Sequence, residues 1–134
     1  MFLKTTQVLR DNEIAEGVSL RELDSALVMT VRRDCIEVEI TVPYRVLEWF
    51  VSVRQAESGN HVEDWCDYTG YDAAPIDSLA DDMADDLRTF INALLERPIR
   101  FTSTKGALGT RHALEWLASG GWSHAVPFGD QGVA

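Results

Sequence analysis

Between Leu27 and Arg54 the chain alternates side chains with a period of two, and nothing else in it restricts the possible folds so tightly. Leu27, Met29 and Val31 alternate with Val28, Thr30 and Arg32, and Arg33-Asp34 reads as a tight turn. Ile36, Val38, Ile40 and Val42 then alternate with Cys35, Glu37, Glu39 and Thr41. Beyond Pro43, Leu47, Trp49, Val51 and Val53 alternate with Glu48, Phe50, Ser52 and Arg54. Successive side chains of a strand point to opposite faces, so these runs predict consecutive antiparallel strands with one buried and one wet face. The register puts Ile36, Val38, Ile40 and Val42 in the core and Glu37, Glu39 and Thr41 toward solvent. Glu57-Ser58-Gly59-Asn60 is a turn signal, and His61 to Tyr68 reads as a returning fourth strand. Its faces are Val62, Asp64, Cys66, Tyr68 and His61, Glu63, Trp65, Asp67. Neither is cleanly apolar, which suits a sheet edge.

Beyond Pro75 the period changes. Ile76, Leu79, Met83, Leu87, Phe90, Ile91 and Leu94 follow helical spacing and predict an amphipathic helix over Ile76–Glu96, stopped by Pro98. Its first half is acidic and its end carries Arg97, the arrangement a helix dipole favours. Elsewhere the patterns are shorter. Met1–Leu9 reads as a first strand. Ser19 with Glu22 matches a capping box and suggests one helical turn over Ser19–Asp24. Ile99–Ser103 reads as a short strand. Gly106–Ser119 reads as a second helix with Leu108, Leu114, Trp116 and Leu117 on its apolar face, and Trp122–Phe128 as a last strand. Together these predict an α+β fold in a single domain over residues 1–134. Its architecture is an antiparallel meander of about four strands, then helix–short strand–helix, with the helices packed on one sheet face.

The formal net charge is −10, and its location is more informative than its size. Glu57 to Asp86 contains ten acids and no Lys or Arg; the rest of the chain holds twelve acids and all twelve bases. So concentrated a negative field repels nucleic acid and attracts cationic partners. No apolar run approaches the roughly 18 residues of a membrane span, and Met1-Phe2-Leu3-Lys4 lacks the pattern of a secretory leader. A cytoplasmic location is expected, with Cys35 and Cys66 reduced.

Four groups of residues invite a chemical reading. Asp81, Asp82, Asp85 and Asp86 lie one helical turn apart in pairs and look like the Mg²⁺-binding aspartate motif of isoprenoid synthases. Those enzymes are all-helical and carry a second such motif, which this chain lacks, so no metal and no cofactor are expected. Like charges at this spacing cost about 0.2–0.5 kcal/mol per pair, which makes a use for the charge an alternative to a plain solvated helix face. In the second group, Glu63, Asp64, Trp65, Asp67, Tyr68, Tyr71 and Asp72 interleave aromatics with acids. An exposed Trp65 or Tyr71 would anchor an interface rimmed by charge. The third group is basic: Arg97, Arg100, Lys105 and Arg111, with no acid between Glu96 and Glu115. Lys105-Gly106-Ala107-Leu108-Gly109-Thr110 resembles the backbone-clamping loop of KH domains and is an alternative anion site at a helix N-terminus. Fourth, His61, His112 and His124 are scattered, and no nucleophile–histidine or zinc spacing is present, so no catalytic residue is singled out.

In charge, size and aromatic–acidic loops the chain resembles immunity proteins and other small bacterial inhibitors, although it shares no residue motif with a particular family. The resemblance implies a cytosolic protein-binding domain that neutralises a basic partner such as a bacterial toxin. Its binding residues would be Glu63, Asp64, Trp65, Asp67, Tyr71, Asp81, Asp82, Asp85 and Asp86. The alternatives are a small enzyme or anion-binding protein working at Arg100, Lys105 and Arg111, and a non-catalytic structural or adaptor subunit.

Overall fold

A computed structural model describes residues 3–68 and 75–128. The alternating region forms β2 (Ala26–Arg33), β3 (Ile36–Pro43) and β4 (Glu48–Gln55), as its period dictates. They lie within a five-stranded antiparallel sheet between β1 (Val18–Glu22) and β5 (His61–Asp67), paired in chain order with β5 at an edge. Ile36, Val38, Ile40 and Val42 are each at most 6% exposed, whereas Glu37, Glu39 and Thr41 are half-buried on the opposite face. Glu37 is paired there with Arg32 at 3.1 Å.

The β2–β3 turn falls one residue later than the sequence suggests, on Asp34 and Cys35, at φ of 50° and 65°. This mirror-image turn matches the twist of the flanking strands but puts a cysteine in the left-handed region. Removing the Cβ relieves that strain, and Cys35→Gly is expected to raise stability by about 1 kcal/mol, read from the denaturant midpoint. A lower midpoint would show that the turn is held in this shape by something other than the strands.

The helix expected at Ile76–Glu96 forms over those residues, as α2. Its basic cap comes from elsewhere: the Arg33 guanidinium, at the end of β2, donates to the Leu94 carbonyl and, at 2.8 Å, to the Arg97 carbonyl. Arg97 itself is turned away, 5.5 Å from the Trp116 ring. Met83, Ala84, Leu87, Phe90, Ile91 and Leu94 are buried against the apolar face of the sheet.

Three expectations are overturned. Residues Leu3–Asp11 are helical (α1), not a strand; Val8 and Leu9 are buried and α1 packs on α2, with Lys4 bonded to Asp81 at 2.8 Å. Ser19–Asp24 is not a helical turn, because Ser19 pairs with Thr30 in β1. The largest change comes after α2. Gly106–Ser119 is not a helix: β6 (Ile99–Gly106), β7 (Gly109–Ala118) and β8 (Gly121–Val126) form a second, three-stranded antiparallel sheet. The helix–short strand–helix arrangement is therefore absent, and the molecule is mostly sheet: five strands, a 21-residue helix and three more strands. Leu114 and Trp116 alternate inward along β7, and the intervening Glu115 and following Leu117 point out.

The smaller sheet adjoins β5, and one core joins both sheets. At its centre Phe90 lies 5.3 Å from Trp49 of β4 and 5.5 Å from Trp116 of β7.

Candidate functional site

The inner face of β5 is committed to structure. Tyr68 donates its hydroxyl to Asp86 Oδ2 at 2.8 Å and accepts from Trp49 Nε1 at 3.1 Å. Asp64 accepts from the Phe128 backbone N–H at 2.8 Å and from its neighbour Trp65 at 2.9 Å. Burial, with the Asp86 and Asp64 charges nearby, pushes the Cys66 thiol up to about 12, and burial likewise raises the Tyr68 phenol. Neither group supplies a nucleophile near neutral pH.

The outer face follows from the same register. With Trp49 and Cys66 paired inward, the next pair, Phe50 and Trp65, points outward. Trp65 is 54% exposed and Phe50 39%, partners on neighbouring strands of the outer face. The neighbouring pairs on this face are Glu48 with Asp67 on one side and Ser52 with Glu63 on the other. The aromatic pair therefore has acids on both sides along β5, and along β4 an acid on one side and Ser52 on the other. A cross-strand aromatic pair is ordinarily a packing contact; one left this exposed has the character of an interface anchor.

The acidic stretch is thus divided. Glu63, Trp65 and Asp67 lie on the outer face of the larger sheet. Asp81, Asp82 and Asp85 lie on the exposed flank of α2, on the other side of that sheet, where Asp81 meets Lys4 and Asp85 meets Arg88. Asp64 and Asp86 point inward to structural partners. Tyr71 and Asp72 lie outside the described residues.

The basic group does not converge. Arg100 is held by Glu115 at 2.8 Å and stacks 4.1 Å over Trp122, while Glu115 also meets His124 at 3.3 Å. Lys105 pairs with Thr110 and Arg111 with Thr104, which puts Lys105 and Arg111 on opposite faces of the β6–β7 ribbon. The Lys105–Thr110 loop joins two strands, so the helix N-terminus that the anion reading needs is not there.

Sequence reasoning missed two cross-strand pairings that depend on register. One is the Phe50–Trp65 pair; its signal was available in the strand parities, but the pairing was not. The other is Ser103 Oγ with His112 Nδ1, 2.8 Å apart across β6 and β7. That pair is on an open ribbon, and among the described residues no carboxylate orients the histidine, so it lacks the third member of a hydrolytic triad. A hollow beside α1 is lined by Thr5, Leu9, Leu27 and Tyr44, among others, and offers hydroxyls but no carboxylate or imidazole. Among the described residues no group of three or more His, Cys, Asp or Glu is placed to hold a metal ion, and no helix is long and apolar enough to cross a membrane. No family model, curated protein or solved structure matches this chain.

Proposed function

We propose that the chain is a small acidic protein-binding domain of immunity or inhibitor type, which neutralises a basic partner by docking it on the outer face of the larger sheet. The observation that supports this is the exposure of Trp65 beside Phe50, between Glu48 and Asp67 on one side and Glu63 on the other. The aromatic pair supplies the area that is desolvated on binding, and the acids around it exclude water and select a cationic surface. The α2 flank acts differently. Asp81, Asp82 and Asp85 face away from Trp65 and contribute through the long-range field, which sets the rate of encounter.

This division of labour is testable with the product of the neighbouring gene as the basic partner, since immunity genes sit beside those of their toxins. Trp65→Ala is expected to raise the dissociation rate roughly thirtyfold, the effect of losing an interface anchor worth about 2 kcal/mol. Replacing Asp81, Asp82 and Asp85 by Asn is expected to slow association and flatten its salt dependence while leaving dissociation unchanged; Asp86 is kept because it holds Tyr68. Dissociation unaltered by Trp65→Ala would remove the outer face from the interface.

A further inference from the structure

We infer that the β6–β7 hairpin is a docking arm, and that it binds the Trp65 face of a second copy of this chain. The inference takes from the proposed function only that the outer face is a binding surface, and it gives that face a second occupant, with which the basic partner competes. Nine consecutive residues, Ser103 to Arg111, are exposed, and β8 pairs with β7 only from Leu114 onward, so the end of this hairpin is a free two-stranded ribbon. Its two-residue loop, Ala107-Leu108, is closed by Gly109 at a φ of 117°, a conformation that favours glycine. Leu108 at the tip is 96% exposed. An isolated apolar side chain at a loop tip has no stabilising role in the monomer. Lys105 and Arg111 flank it, one on each face of the ribbon, and no acid occurs between Glu96 and Glu115.

The Trp65 face is the complement of this arm in order as well as in sign. Its apolar centre, Phe50 with Trp65, lies between Glu63 and the Glu48–Asp67 pair. Glu63 and Asp67 are four residues apart on one strand, about 13 Å, a span that a two-stranded ribbon with cations on both faces can bridge. Seating Leu108 on the aromatic pair brings Lys105 to one acidic side and Arg111 to the other. A nucleic acid would suit the cations of the arm but would be repelled by a body of net charge −10. Each copy has one arm and one face, so a reciprocal exchange about a two-fold axis satisfies both sites and closes as a dimer.

Because each copy is itself strongly negative, salt weakens both the local attraction and the overall repulsion, and charge exchange is the clearer test. Two variants of the full chain are made: an arm-reversed one, Lys105→Glu with Arg111→Glu, and a face-reversed one, Glu48→Lys, Glu63→Lys and Asp67→Lys. Sedimentation across a concentration series should give the parent chain a species of twice its 15.0 kDa mass. Each variant alone should be monomeric, since its arm and face then repel, and a one-to-one mixture should recover the dimer through two attractive contacts. Leu108→Ser should weaken self-association at least about tenfold without changing the melting temperature, because its side chain is exposed. A parent chain that stays monomeric, a dimer that survives arm reversal, or a mixture of folded variants that stays monomeric would each overturn the inference. So would a species that grows without limit, which would exclude the closed exchange. If the parent is monomeric while Trp65→Ala still speeds release of the basic partner, the arm contact fails and the proposed function stands. If the charge exchange restores the dimer and no basic partner binds, the proposed function fails and the arm contact stands.

Discussion

Phe90→Ala is expected to remove about 3–5 kcal/mol of stability, a large part of what a domain of this size has. Phe90 is fully buried on α2 and touches aromatic rings from three directions: Trp49 at 5.3 Å, Trp116 at 5.5 Å and, edge-on, Phe128 at 5.9 Å. Truncation removes the transferred area and each aromatic contact, and it opens a cavity that the two tryptophans, fixed on different sheets, are poorly placed to fill. Phe90→Leu keeps most of the volume and should lose roughly half as much. The denaturant midpoint measures both. A loss below about 1.5 kcal/mol for the alanine variant would mean that the sheets close over the gap, and that Phe90 is filler rather than the link between them.

Tyr68→Phe should be the next most damaging single change, at about 1–3 kcal/mol, although it deletes one oxygen. That oxygen accepts from the indole N–H of Trp49, a residue with no exposed surface, and donates to Asp86. Without it a buried donor is left unpaired and a carboxylate loses its bond. Asp86→Asn, which keeps an acceptor for the Tyr68 hydroxyl, should cost less. The pH dependence separates this account from simple packing. Tyr68 is held neutral above its ordinary range, and Cys66 up to about 12, mainly by burial. The unfolded chain ionises these groups at about 8.5 for the thiol and about 10 for the phenol. Above those values the folded form retains more protons than the unfolded one, so stability falls as pH rises. The contribution of both groups is complete below about pH 8 and declines through the alkaline range. Tyr68→Phe should therefore flatten the decline above pH 10, and an unaltered decline would locate the alkaline sensitivity elsewhere.

The parts of this architecture legible in the sequence are those where one face of an element is buried and the other is wet. Strands β3 and β4 bury one set of alternate positions, and α2 buries one stripe, so their periods survive in the residues, whereas β2 buries Ala26 and Val28 of its other face as well. After Pro98 the pattern misleads because Leu108 counts as apolar yet packs on nothing described. Removing it leaves Leu114 and Trp116 two apart, a strand period, within a segment whose Gly106 and Gly109 bracket a two-residue turn. α1 is the converse case. Thr5, Thr6 and Val8 favour strands on local grounds, and contact with α2 decides the outcome. The candidate surface was half legible: Trp65 and its acids stood out, but its neighbour Phe50, and the separation of Asp81, Asp82 and Asp85 from it, depend on which strand lies beside which.

Among the described residues all the strand pairings, β1 with β2 through β4 with β5 and β6 through β8, join segments consecutive in the chain. Each hairpin closes a short loop at small entropic cost, and no ladder has to wait for a distant segment to arrive. Such a topology has a low contact order for a molecule built mainly of sheet and belongs with the faster-folding β proteins. What remains non-local is the joining of the two meanders over α2, where Phe90 touches a tryptophan of each sheet.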